Sequence, residues 1–104
     1  MESGLARLSR TDAVKQIREC LRQGRVRETR PFREKLAAKG LSIGDAHHVL
    51  SHGVVFEEPH HDVHFQQWRY RVEGTEPDGQ YLSIIFAFEG AEDGVLLSLY
   101  SDES

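Results

Sequence analysis

At 104 residues and 11.9 kDa, with 38% hydrophobic and 29% charged residues, the chain has room for one domain with one core. Its apolar stretch Tyr81–Phe88 is eight residues, far short of the ~20 that a membrane helix needs. The opening MESGLARLSR lacks the apolar segment of a secretory signal, and a lone Cys20 excludes an internal disulfide or a cysteine-built zinc cage. The expectation is one soluble, cytoplasmic domain over residues 1–104, with flexible ends at 1–9 and 101–104.

In chain order, Ser9 with Asp12 three residues later is a capping-box-like start. Ala13, Val14, Ile17 and Leu21 follow at helical spacing, and Gly24 closes that helix. Cys20 lies near its apolar side and reads as a small buried hydrophobe. Arg25–Thr29 reads as extended or as an edge strand. Pro31 opens a second helix that turns Phe32 and Leu36 inward and stops at Gly40. Ser42 and Asp45 cap a third, with Ile43, Ala46, Val49 and Leu50 on its apolar side, His47 near that side, and Gly53 at its end.

The period then changes to two. Gly53–Glu58 is a candidate strand, followed by a His-rich loop with Pro59. Gln66–Glu73, Tyr81–Phe88 and Val95–Ser101 are strands, separated by the turns GTEPDGQ and EGAEDG. The expected fold is α+β: two to three N-terminal helices packed on one face of a four-stranded, mostly antiparallel sheet.

Charge is divided unevenly along this order. Residues 1–40 hold eleven Lys/Arg against five Asp/Glu (+6), and residues 41–104 hold two against twelve (−10), which returns the net −4. A basic segment attracts phosphate or an acidic partner chain, whereas a solvated arginine face is the plainer alternative. The acidic total argues against strong non-specific nucleic-acid binding.

Alternation predicts an inner strand set of Trp68, Tyr70, Val72, Leu82, Ile84, Phe86, Phe88, Val95, Leu97 and Leu99. The opposite face then gathers Gln67, Arg69, Arg71, Tyr81, Ser83, Ser98 and Tyr100. Arg69 and Arg71 are the only cationic residues after Lys39. Two guanidinium groups on one face can grip a phosphate bidentately, with tyrosine hydroxyls to orient it. The alternative is pairing with Glu57, Glu58 or Glu73 across strands.

All six histidines lie between His47 and His64. Asp45, His48 and His52 share one helical stripe and form an alternative metal set with an open position. His60, His61 and His64 follow, and imidazole is the side chain best suited to proton transfer near neutral pH. His61 or His64 at the rim of the arginine–tyrosine face is the expected acid or base.

The stretch RQGRVRETRPFREKLAAKGLSIGDAHHVLSHG, Arg22 to Gly53, resembles the N-terminal part of the motility quorum-sensing regulator toxins. There too a helix ends in a Gly-basic-Val-Arg segment, followed by two helices joined by a Gly-Leu pair. Trp68 to Gly74, with the Asp78–Gly79 turn, is similar to a bacterial domain of unknown function. Both groups stand near the RelE-like ribonuclease toxins. The resemblance covers most of the chain and implies a helix-backed sheet whose other face cuts RNA without metal or cofactor, and an antitoxin that neutralises it. It places the family's glutamine at Gln67 and its tyrosine after the turn at Tyr81. The family's two catalytic lysines meet Glu57 and approximately Tyr100, leaving Arg69, Arg71 and a histidine to supply positive charge.

The resulting expectation is a toxin-like domain acting as an endoribonuclease, with RNA as substrate and an antitoxin as partner. Arg69 and Arg71 hold the phosphate, Gln67 and Tyr81 orient it, and His61 or His64 moves protons. A non-catalytic protein-binding module and a His-rich metal-binding protein are the alternatives.

Overall fold

Helix boundaries in the computed structural model, which describes residues 6–101, follow from side-chain caps. Helix α1 (Arg10–Gln23) starts where the Ser9 hydroxyl accepts from the Asp12 amide. It ends at Gly24, whose φ of 71° allows the Gly24 amide to reach Leu21 O while the Arg25 amide reaches Cys20 O. That pair of bonds is a Schellman closure. Helix α2 (Arg30–Ala38) is capped by Thr29, with Pro31 in its first turn. Helix α3 (Ile43–His52) has a full capping box, in which Ser42 Oγ accepts from Asp45 N and Asp45 Oδ2 accepts from Ser42 N.

The sheet has six strands rather than four: β1 (Val26–Glu28), β2 (Val54–Val55), β3 (His60–Asp62), β4 (Gln67–Thr75), β5 (Tyr81–Gly90) and β6 (Asp93–Ser101). Their order is β1-β6-β5-β4-β2, and β3 pairs with another stretch of the β4 edge. The β4–β5–β6 meander is antiparallel, whereas β1 runs parallel to β6. Strands β1 and β2 lie within the stretches expected to be extended, Arg25–Thr29 and Gly53–Glu58, whereas β3 stands where a His-rich loop was expected, its three residues too few for alternation to mark. The class is α+β.

One face of the sheet is buried against α1, α2 and α3. Ala13, Ile17, Cys20, Phe32, Leu36, Ala46, Val49 and Leu50 pack there on Tyr70, Val72, Leu82, Ile84, Phe86, Phe88, Leu96 and Leu99. Burial pushes the Cys20 thiol up to about 11, so it stays protonated and inert. The expected inner set needs one correction. Ile85 pairs with Ser98 but Phe86 pairs with Leu96, so Leu97 is an extra residue. This bulge shifts the phase of β6: Leu96 joins the core, while Val95 pairs with Ala87 on the other side. Gly94 is required beside it, because a Cβ there would lie 2.2 Å from Phe86 Cζ.

Two helix positions also differ from expectation. His47 is exposed, and Ile43 is 36% exposed, because α3 buries only the Ala46–Val49–Leu50 stripe. Of the expected flexible ends, 1–5 and 102–104 lie outside the described residues. Residues 6–9 are tied down, since Leu8 packs on the core, its amide donates to Tyr70 Oη at 2.8 Å, and Arg7 pairs with Glu58. No helix among the described residues is long and apolar enough to cross a membrane.

Candidate functional site

The face of the sheet away from α1 and α3 carries the polar residues of β4, β5 and β6 in cross-strand rows. Arg69, Ala87, Val95 and Arg27 form one row, Arg71, Ile85 and Ser98 the next, and Glu73, Ser83 and Tyr100 a third. Helix α2 lies along the outer edge of β6 beyond β1, fixed by Thr29 N donating to Leu96 O at 3.1 Å. From that edge Lys35 Nζ donates to Ser98 Oγ at 2.9 Å and sits 4.3 Å from the centre of the Tyr100 ring. One turn later Lys39 Nζ donates to Ser101 Oγ at 2.8 Å.

The cations on this face are committed to very different degrees. Arg27 is engaged with Glu89 through Nε at 2.8 Å and Nη2 at 2.5 Å, a bidentate pair that leaves little for a ligand. Arg69 gives Nη2 to Asp62 at 2.6 Å, and its Nε finds no acceptor among the described residues. Although burial favours the neutral acid, the amides of Phe65 and His64 and the Arg69 charge hold the Asp62 carboxyl below its ordinary value. Arg71 has Glu57 at 3.8 Å and Glu73 at 3.9 Å, both beyond hydrogen-bond distance. Among the described residues its guanidinium has ionic neighbours but donates no hydrogen bond.

Tyr100 is where these charges converge. The Ser98 side chain, by hydrogen bonding, and then the charges of Lys35, Arg69 and Arg71 hold its phenol below the ordinary value, against an opposing contribution from burial. The ring is 47% exposed, so the group whose ionisation is favoured is also reachable from solvent. Tyr81 stands on the same side and donates to Glu73 Oε1 at 2.7 Å, which positions the carboxylate beside Arg71.

The residues expected from the sequence divide into two groups. Arg69, Arg71 and Tyr81 share the face with Tyr100. Gln67 shares its side, but six residues along β4 from the Tyr100 row, about 20 Å at ~3.3 Å per residue. His61 does not join them: its register partner is Trp68, its ring lies 4.8 Å from the Trp68 ring, and both face the helix side. His64 sits in the turn after β3 with its amide on Asp62 Oδ1 and its ring against Phe65. His60 is the histidine that pairs with Arg69. The one-residue difference arises because register, not composition, decides which member of a His-His pair faces which side. Glu58 pairs with Arg7 and Arg10 rather than with the strand arginines.

The alternative metal set is not assembled. Asp45 is held in its capping box, and His52 Nδ1 contacts His48 O at 3.0 Å while the two rings stack 4.4 Å apart. No group of three His, Cys, Asp or Glu side chains among the described residues converges as metal ligands. Lys35 and Lys39 are cations of this face that the sequence does not single out. Their signal is two lysines at i and i+4 flanking the inward Leu36, a like-charge spacing that costs about 0.2–0.5 kcal/mol, offset in part by the nearby helix C-terminus. No family model, curated protein or solved structure matches the chain.

Proposed function

We propose that this is a RelE-like, toxin-type domain whose helix-free sheet face binds single-stranded RNA and cleaves it without metal. The observation that carries the reading is Arg71, whose guanidinium donates no hydrogen bond among the described residues, beside a tyrosine whose ionised form is favoured by Lys35, Arg69 and Arg71. Arg71 and Arg69 grip the non-bridging oxygens of one phosphate and stabilise the charge that builds on them. The Tyr100 phenolate takes the proton from the adjacent ribose 2′-OH. The 2′ oxygen then bonds to phosphorus, the P–O5′ bond breaks, and the leaving oxygen takes a proton from the Lys35 ammonium. The products are a 2′,3′-cyclic phosphate and a 5′-hydroxyl. Glu73, held by Tyr81, and Asp62 orient the two guanidinium groups. An acidic antitoxin chain laid over the same face would block it.

The test is incubation of the purified chain with RNA, with and without EDTA, followed by end-group analysis. Cleavage that survives EDTA, rises with pH toward the lowered Tyr100 value, and falls ~10²-fold or more in Arg71→Ala and Tyr100→Phe supports the reading. Intact RNA, or variants that cut as the parent does, overturns it. A protein-binding role has its own observation, the exposed Val54, Phe56, Val63 and Phe65 along the β2–β3 margin. A stable complex with an acidic protein together with intact RNA favours that second reading.

A further inference from the structure

We propose that the cavity at the corner between α2 and the end of β6 is a nucleotide subsite, which takes a nucleotide flanking the phosphate held on the sheet face. This rests on the RNA reading above for its place in a reaction, but not for its chemistry. The cavity has a volume of about 730 Å³ and is lined by Lys35, Lys39, Gln80, Leu99, Tyr100 and Ser101. That volume lies within the ~300–1,000 Å³ of small-molecule sites, larger than one phosphate requires.

Its lining supplies what each part of a nucleotide needs. Lys39 and Lys35 have hydroxyl partners, Ser101 and Ser98, and no carboxylate partner among the described residues, so their charge is open to a phosphate. Gln80 has its backbone occupied on both sides by Glu76, at 2.8 Å and 2.9 Å. Its side-chain amide makes no hydrogen bond among the described residues, leaving a donor and an acceptor for a base edge. The Tyr100 ring adds an aromatic wall and joins the cavity to the face where Arg71 stands. Lys39 lies outside the proposed cleavage step, so a loss at Lys39 reports on binding alone.

The probes are adenosine 5′-monophosphate, adenosine and inorganic phosphate, titrated into the full chain and followed by amide chemical shifts and calorimetry. The nucleotide is expected to shift Lys39, Gln80 and Tyr100 and to bind more tightly than either fragment. Lys39→Ala and Lys39→Gln, both checked for unchanged melting, should weaken it tenfold or more, and Gln80→Ala should narrow the preference between bases. In RNA cleavage Lys39→Ala should raise KM at least fivefold with kcat unchanged. Nucleotide binding that ignores Lys39, or shifts confined to other surfaces, overturns the subsite. RNA cleavage with a normal KM in Lys39→Ala removes the subsite and leaves the ribonuclease reading standing. Lys39-dependent nucleotide binding with intact RNA does the reverse.

Discussion

Truncating Leu96 and Leu97 separately to alanine distinguishes the two phases that β6 could adopt. Plain alternation from Leu99 puts Leu97 in the core. The bulge puts Leu96 there instead, 0% exposed and among the largest fully buried side chains, and leaves Leu97 half-buried. A buried Leu→Ala change costs about 3–4 kcal/mol through lost transfer energy and the cavity left behind. Removing the partly buried Leu97 side chain costs roughly 1 kcal/mol. For a domain near 100 residues, ~1 kcal/mol moves Tm by about 4–8 °C, so Leu96→Ala should melt roughly 15–25 °C low and Leu97→Ala about 5 °C low. Urea unfolding followed by circular dichroism measures both, and an unchanged m-value confirms that only stability has moved. Equal losses, or a larger loss at Leu97, would refute the register and with it the placing of Val95 on the helix-free side.

Gly94→Ala should destabilise by about 1–3 kcal/mol, because the added methyl meets the fully buried Phe86 ring, and Phe86→Leu in the same chain should recover part of the loss in a double-mutant cycle. Ser42→Ala should cost about 1 kcal/mol in thermal melts, more than Ser9→Ala, since only Ser42 has its amide bonded in return. Hydrogen bonds from Arg25 and Arg27 hold the Asp93 and Glu89 carboxyls below their ordinary values. Their stabilisation is therefore present above the unfolded carboxylate values of 3.8 and 4.5 and is lost as pH falls through the lowered folded values. Asp93→Asn with Glu89→Gln should flatten the fall in Tm below about pH 4.5, and salt should shrink the difference.

How far the chain could be read depended on whether local pattern or distant pairing decides each feature. Ser42, Asp45 and Gly53 mark α3 because a cap is made within a few residues. Leu82, Ile84, Phe86 and Phe88 mark the inner face of β5 for the same reason. The phase of β6 was hidden because its bulge exists only against β5. His60 and His61 could not be assigned to sides until β3 met β4. Lys35 and Lys39 gain meaning only once α2 lies along β6, which brings residues more than sixty positions apart together at Ser98 and Ser101. Arg69, Arg71 and Tyr81 were legible because one uninterrupted alternation fixes their side.

The strand that comes last in the order of elements lies inside the sheet, between β1 from near the start and β5. Without β6, β1 has no ladder to join and α2 has no edge to lie along, so Lys35, Lys39 and Tyr100 are brought together only by that strand. Assembly is thus dominated by long-range closure, which slows folding. Shortening the chain within β6 would remove the fold's seam and the Ser98–Tyr100 segment together.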